Sequence, residues 1–164
     1  MKTLYLVRHA KSSWADPFLD DIDRPLNNRG RSDAPRMGKR LRERELMPDL
    51  IFSSPAERAV STSILIAEKI RYDVRNIHTN AKLYHATEDD LLAFTRQLNN
   101  ANDEVMIVGH NPGLTDFVNS LAGKLVTDNM PTCAVASIRF DSDSWELVGW
   151  GKGKVLFYDF PKNQ

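Results

Sequence analysis

Short apolar segments of β-forming residues alternate along the chain with segments of helical periodicity. The apolar segments cover residues 4–7, 50–52 and 105–108, and each is followed by a segment with helical features. Continuous apolar runs of this length suit strands that are buried on both faces of a parallel sheet. The alternation therefore predicts an α/β fold with a mostly parallel central sheet between two layers of helices.

Four helices are predicted in the intervening segments. They cover residues 30–45, 56–70, 88–98 and 114–121. Pro35 lies early in the first segment, so the regular part of that helix is expected to begin near Ala34. The second segment follows Ser54-Pro55, and a serine cap with proline in the first turn is a typical start signal.

The end of the chain carries a different pattern. Residues 134–140 and 145–150 are predicted as two strands joined by the polar turn 141–144, and residues 155–158 as a last short strand. Strands joined by so short a turn pair antiparallel. We therefore expect a three-layer α/β sandwich whose parallel sheet has an antiparallel edge.

The composition limits the class of protein and of partner. A chain of 164 residues with 41% hydrophobic content suits a single domain, residues 1–164, with its own core. Its 22 basic and 22 acidic residues cancel, which disfavours nucleic acid as the main partner. The single cysteine, Cys133, excludes an intramolecular disulfide and a cysteine zinc site. The apolar N-terminal run is too short for a signal peptide or a membrane span, so a cytoplasmic location with no membrane partner is expected.

Residues that suit phosphate follow three of the predicted strands. Arg8 and His9 follow the first, Ser54 and Arg58 follow the second, and His110 follows the third. Ligands of open α/β sheets bind beyond the carboxyl ends of the strands, so these residues should meet at one edge. Each of these signals is weak alone, and their equivalent positions make the combination strong.

The chemistry of these residues fits phosphoryl transfer. A guanidinium can bind two phosphoryl oxygens at once and does not lose its charge. Helices that begin near Pro55 and Gly113 would direct free N–H groups at an anion. His9 and His110 can exchange protons near neutral pH, and a neutral imidazole with one nitrogen held by a carbonyl is a competent nucleophile.

Three segments carry a resemblance to a known family. Residues 6–12 (LVRHAKS), 53–59 (SSPAERA) and 108–112 (VGHNP) resemble the motifs of the histidine phosphatase superfamily, the phosphoglycerate-mutase-like group. The short chain without a large inserted cap, and Arg24-Pro25-Leu26 with Gly30 after it, are similar to its small branch of SixA-type phosphohistidine phosphatases. The resemblance covers roughly residues 2–123.

The resemblance implies a fold, a mechanism and a set of site residues. The fold would be phosphoglycerate-mutase-like without a large cap, and the activity that of a hydrolase without metal or other cofactor. His9 would take the phosphoryl group from phosphohistidine in a protein, or from a small phosphomonoester, and water would release phosphate. The residues around the phosphoryl group would be Arg8, Arg58 and His110, with substrate contacts from Arg24, Asn111 and Ser54.

The general acid is less defined. Many members of the superfamily supply an acidic residue after the second motif, and Glu88 is the candidate in that region. Glu88 also suits the start of a helix, where acidic residues are stabilised in any case. Asp21 and Asp23, beside Arg24, are rival donors. Residues 20–23 could also suggest a metal site with His9, but they lack the glycine of a calcium-binding loop and more simply form a solvated loop.

Other functions stay open on the sequence alone. A metal-dependent hydrolase could use both histidines and the aspartates, but fixed positive charge beside them disfavours a bound cation. A non-catalytic phosphate-binding module would need the arginines and not both histidines, and a mutase would need a larger cap and a firm acid. His78 and His85 have no partner at ligand spacing and are expected at the surface. Trp14 could line the entrance to the substrate site or cover the core.

Overall fold

A computed structural model describes residues 1–163 and contains six strands and four α-helices in that range. The strands are β1 (Lys2–Arg8), β2 (Leu50–Ser53), β3 (Ile77–Thr79), β4 (Glu104–Gly109), β5 (Val135–Phe140) and β6 (Lys154–Asp159). The helices are α1 (Asn28–Glu43), α2 (Glu57–Lys69), α3 (Glu88–Arg96) and α4 (Gly113–Ala122).

The strands form one mixed sheet in the order β3-β2-β4-β1-β5-β6. The first four in this order are parallel, and β5 and β6 add the antiparallel edge. The α/β fold with a mostly parallel sheet and an antiparallel edge is confirmed. Because β1, β2 and β4 run in parallel, their carboxyl ends open onto one edge of the sheet.

Alternate residues of the central strands face two separate cores. Leu4 and Leu6 of β1 and Ile107 of β4 pack beneath α3 and α4. Tyr5 and Val7 of β1 face the other side, beneath α1 and α2. This alternation makes three layers, and it buries β1 and β4 on both faces, as their continuous apolar sequence indicates.

Helix α1 begins earlier than the sequence indicates. The Asn27 side chain accepts a hydrogen bond from Gly30 N at 2.9 Å and caps a helix that starts at Asn28, not near Ala34. Pro35 lies inside the helix, where it removes one backbone bond without ending it. Helix α2 begins at Glu57 after Ala56, without a side-chain cap.

The predicted strand over residues 145–150 is wrong. Trp145–Leu147 forms a short 3-10 turn, and β5 pairs instead with β6. Trp145 is fully buried, and its indole Nε1 donates to the Asn102 carbonyl at 2.8 Å. The apolar residues here anchor a connection to the core and do not extend the sheet. The three-residue strand β3 was missed.

Within residues 1–163, no helix combines the length and the apolar character that crossing a membrane requires.

Candidate active site

His9 lies directly after β1 at the open edge of the sheet. Its backbone N–H donates to Gly109 O at 3.0 Å, which joins the ends of β1 and β4, and its side chain is buried. The ring Nδ1 lies 2.7 Å from the Ala10 carbonyl, an acceptor only, so Nδ1 carries the proton. Burial, assisted by Arg58 and Arg8, lowers the pKa of His9 to about 4. At neutral pH the imidazole is therefore uncharged, with its lone pair on Nε2.

His110 follows β4 and faces His9, with ring centroids 5.3 Å apart. Its Nε2 lies 2.7 Å from Ser54 Oγ, and its Nδ1 lies 3.5 Å from Arg58 Nη2. Burial, together with His9 and Arg58, lowers the pKa of His110 to about 3. Both imidazoles are consequently neutral at physiological pH, and neither repels the other.

Arg58 reaches the same place from the first turn of α2. The residue is buried, with 3% of its surface exposed. Its guanidinium donates to Asp21 through Nη1 to the carbonyl oxygen at 2.6 Å and through Nη2 to carboxylate Oδ2 at 3.0 Å. The loop between β1 and α1 is thereby tied to α2.

Arg24 is held on the same loop. Its guanidinium stacks over the Trp14 ring at 3.5 Å, donates through Nη1 to Ser12 Oγ at 2.9 Å and through Nε to Asp21 Oδ1 at 3.1 Å. Cation–π contact and two hydrogen bonds keep a long side chain in one position. Trp14 lies in this loop with 74% of its surface exposed, so it does not cover the core.

Two buried guanidinium nitrogens have unused donor capacity. Arg8 donates through Nη1 to the Met130 carbonyl at 2.8 Å. The Nε atoms of Arg8 and Arg58 find no hydrogen-bond partner within residues 1–163. Buried donors are rarely left unpaired, and charged ones less often still. The arrangement therefore suits an anion with several acceptor oxygens.

Asp21 is the carboxylate that the structure joins to this cluster. Besides both arginines, the Tyr84 hydroxyl donates to its Oδ2 at 2.6 Å. The Tyr84 hydrogen bond, followed by those from Arg58 and Arg24, holds the pKa of Asp21 well below its usual range. Asp21 is thus ionised at neutral pH and positions both arginines.

Three predicted residues make contacts different from those expected. Glu88 begins α3 and accepts from Ser120 Oγ at 2.5 Å, and no hydrogen bond within the described chain joins it to the histidines or arginines. Ser54 contacts His110, as described above. The Asn111 amide donates to Asn129 Oδ1 and to the Met130 carbonyl, so it supports the loop that receives Arg8.

Tyr84 and His85 are the neighbours of the cluster that the sequence analysis did not assign to it. The ring of His85 stacks on Tyr84, with centroids 4.0 Å apart, and lies 5.5 Å from that of His110. Both residues follow β3 after one short 3-10 turn. Recognising β3 would have placed a fourth strand end, and these residues, at the same edge.

The assembled site is a basic recess that contains an uncharged imidazole, that of His9. Fixed guanidinium charges from Arg8, Arg24 and Arg58 can neutralise a phosphoryl group, and His9 Nε2 has a lone pair to attack it. Among the described residues, no group of three or more His, Cys, Asp or Glu side chains is arranged to hold a metal ion.

Comparison with known proteins places the chain among phosphoryl-transfer enzymes. A family model described as the histidine phosphatase superfamily (branch 1) matches residues 4–84. An uncharacterised chloroplast protein of Arabidopsis thaliana is 30% identical over 153 residues, covering 88% of this chain and 69% of that protein. A 2,3-bisphosphoglycerate-dependent phosphoglycerate mutase of Bifidobacterium longum is 37% identical over 62 residues, and this match spans only 25% of the mutase.

Solved structures share the whole fold. The SixA protein of Agrobacterium tumefaciens superposes with a TM-score of 0.83 at 26% identity, covering 98% of both chains. A SixA protein histidine phosphatase in complex with tungstate has a TM-score of 0.82 at 20% identity, covering 97% of both chains. The match extends over nearly the full length of both SixA chains, so the fold contains no additional large cap.

Proposed function

The chain belongs to the histidine phosphatase superfamily, and from that premise we propose that it hydrolyses phosphohistidine in a protein through a phosphorylated His9. Family membership and the SixA-type fold support phosphatase activity in general. The observation that carries the finer proposal is His9 itself, buried and neutral, with Nδ1 held by Ala10 O and Nε2 directed away from that bond.

The reaction would proceed in two displacements. In the first, the His9 Nε2 lone pair forms a bond to phosphorus while the bond between phosphorus and the leaving group breaks. In the second, a water oxygen attacks phosphorus, the P–N bond to His9 breaks and inorganic phosphate leaves. Arg8, Arg24 and Arg58 would neutralise the phosphoryl oxygens throughout, with His110 beside them. The arginines supply the positive charge that a metal supplies in other phosphatases.

The mouth of the site supports a protein substrate. The loop that carries Arg24 also exposes Trp14, Phe18 and Leu19, and Phe18 has 94% of its surface in solvent. Large apolar side chains exposed on one loop are candidates for an interaction surface. Phosphohistidine in a protein, which is the substrate in the name of the similar SixA structures, would bring a surface that can cover this loop. We also propose a cytoplasmic location, which rests on the single cysteine.

The first experiment measures hydrolysis of an aryl phosphate in the presence of chelator, with the native protein and with His9→Ala. We expect chelator-resistant activity that His9→Ala abolishes and that His78→Ala retains. His78 is an exposed histidine on β3 and serves as the matched control. Activity that requires metal, or that persists without His9, contradicts the mechanism, and binding of phosphate without turnover would indicate a non-catalytic module.

The second experiment separates protein from small-molecule substrates. Phe18→Ser should lower kcat/KM for a phosphohistidine protein and leave that for an aryl phosphate unchanged. Leu147→Ser is the control. Leu147 is also exposed, but it lies next to Trp145, which bonds to Asn102 before the start of β4, at the end of the strand away from His110. Equal rates of Phe18→Ser and native protein on the phosphoprotein would instead favour a small phosphomonoester as substrate.

A further inference from the structure

We propose that His85 is the proton donor to the leaving group and that Asp21 positions it for this role. The inference rests on the proposed function and adds a residue to its first step. In the chemistry of displacement at phosphorus, a basic leaving group needs a proton as its bond breaks, whereas a weakly basic one departs without it.

Geometry places His85 beside the reacting residues. Its Nε2 lies 3.4 Å from Asp21 Oδ2, the carboxylate oxygen that also accepts from Arg58 and Tyr84. The ring of His110 is the common neighbour of His85 and His9, at 5.5 and 5.3 Å between centroids. A phosphoryl group attached to His9 would therefore have His85 close to its outer side.

The two ring nitrogens of His85 have different roles, one in the contact with Asp21 and the other in proton transfer. Nε2 lies 3.4 Å from Asp21 Oδ2, at ion-pair distance, and Nδ1 makes no hydrogen bond to residues 1–163. In the first displacement, the proton on Nδ1 passes to the leaving atom as its bond to phosphorus breaks, and His85 becomes neutral. In the second, neutral Nδ1 takes a proton from the attacking water, which restores the starting state.

Other groups of the site are not suited to this task. The proton on His9 Nδ1 is committed to the Ala10 carbonyl, and guanidinium groups do not give up theirs. Asp21 holds no proton, because Tyr84 and the arginines keep its pKa far below neutral. Glu88, the acid suggested by the sequence, is engaged by Ser120.

Backbone conformation and exposure give independent support. His85 adopts φ +54°, a left-handed conformation that few non-glycine residues adopt and in which asparagine, aspartate and histidine are the most frequent of them. Such conformations cluster at functional sites, where the surrounding structure maintains them. The side chain is 59% exposed, so a substrate arriving from solvent can contact it.

Charged and titratable groups approach His85 from several elements. On the side of His85 that faces His110, the charged and titratable groups are Asp21 with its partner Arg58, Tyr84, and His110 itself. On the other side, His85 lines an open cleft between the starts of α3 and α4, whose carboxylates are Glu88, Asp89 and Asp116. The pH profile of the native enzyme reflects all of them, so the test compares leaving groups at one pH.

The decisive test uses His85→Asn with two aryl phosphates, 4-nitrophenyl phosphate and phenyl phosphate. Asparagine tolerates the left-handed conformation and lacks the transferable proton. We expect kcat/KM to fall on the order of 10²-fold for phenyl phosphate and less than about threefold for the nitrophenyl ester. Added imidazole should restore part of the phenyl phosphate rate, and His78→Asn should match native protein on both.

The outcomes distinguish this inference from the proposed function. Equal losses on the two esters, or no loss on either, overturn the role of His85 while leaving a His9-dependent phosphatase in place. Failure of the native protein on both esters, or full activity of His9→Ala, contradicts the proposed function and this inference with it. Asp21→Asn should lower activity on both esters, because Asp21 also holds Arg24 and Arg58, and should lower it further for phenyl phosphate, without rescue by imidazole.

Discussion

Ser54 Oγ lies 2.7 Å from His110 Nε2, and both side chains are buried at the ends of neighbouring parallel strands. The same hydroxyl accepts from Ala56 N at 3.2 Å, at the start of α2. One side chain therefore links the ring of His110 to the helix that carries Arg58. Ser54 positions a residue of the site, which differs from the direct substrate contact that the resemblance implies for it.

Ser54→Ala should lower kcat more than it raises KM. The ring of His110 would lose its hydrogen-bond partner and be free to rotate, which weakens contacts made in the transition state. We expect a loss of about fivefold, since one buried hydrogen bond contributes about 1 kcal/mol. Steady-state kinetics on an aryl phosphate measure the effect, with Ser61→Ala on α2 as control. A change confined to KM would indicate that Ser54 contacts substrate directly.

Arg58→Lys should abolish most activity although it retains the charge. A lysine cannot donate to the Asp21 carbonyl and carboxylate at once, as the guanidinium does, and still bind phosphoryl oxygens. We expect a fall in kcat of about 10²- to 10³-fold, comparable to removal of one donor from an oxyanion site. Arg75→Lys, in the exposed pair with Asp73, is the matched control and should behave as native protein.

Phosphate binding gives a second measure of the same residue. Tungstate or inorganic phosphate should raise the melting temperature of native protein, because a ligand that binds only the folded state stabilises it. The shift should be largely lost in Arg58→Lys and retained in Arg75→Lys. An unchanged shift in Arg58→Lys would place the anion elsewhere.

Activity should persist into acid further than an ordinary histidine allows. The nucleophile must be unprotonated, and burial lowers the pKa of His9 from 6.5 to about 4. The acid limb of kcat/KM that belongs to His9 should therefore lie near pH 4, measured with an aryl phosphate whose own ionisation is corrected for. An acid limb near pH 6.5 that remains after this correction and belongs to His9 would contradict a buried neutral His9.

The same shift makes a prediction for stability. Above pH 6.5 the imidazole is neutral in both states, and stability does not depend on its proton. Between pH 6.5 and pH 4 the His9 side chain takes up a proton in the unfolded chain but not in the folded chain. The free energy of unfolding therefore decreases as the pH is lowered, by about 2 kcal/mol at pH 5 for His9 alone. His9→Ala should consequently lose less stability than native protein between pH 7.5 and pH 5 in denaturant titrations, and an equal loss would contradict the shift.

Gly113→Ala should impair the site through packing. A Cβ at Gly113 would lie 1.9 Å from the Ala86 carbonyl oxygen, so the segment after β3 must move away from α4. That segment carries Tyr84 and His85, and activity should fall together with thermal stability. Gly149→Ala is the control, because its Cβ would approach no backbone atom and would meet only side-chain ends, Arg96 Nη2 at 3.3 Å and Lys152 Cδ at 3.7 Å.

How much the sequence could predict depends on the range of the interactions involved. His9, Arg58 and His110 follow apolar strands that are recognisable locally, and parallel pairing brings such strand ends together. Asp21 lies in a long loop whose course is decided by Arg58 and Tyr84, which are distant in sequence. No local pattern gives that information.

The errors in the fold have the same origin. Strand β3 has three residues, of which two are exposed, so it lacks the apolar run that marked the other parallel strands. Trp145 and Leu147 are two residues apart, which is the spacing of apolar residues in a strand. Burial of the Trp145 ring and its hydrogen bond to the Asn102 carbonyl outweigh the β propensity of this segment. Helix α1 starts early because a capping side chain and tertiary packing outweigh the effect of Pro35.

The most direct test of the central claim is to trap the phosphorylated enzyme. Native protein is mixed with a ³²P-labelled phosphohistidine protein or aryl phosphate, quenched within milliseconds in alkali and mapped by mass spectrometry. The mechanism predicts one phosphoryl group, stable to base and labile to acid, on the peptide that contains His9, and none in His9→Ala. Turnover with no phosphoryl group at His9, or with a phosphoryl group on a different residue, would contradict it.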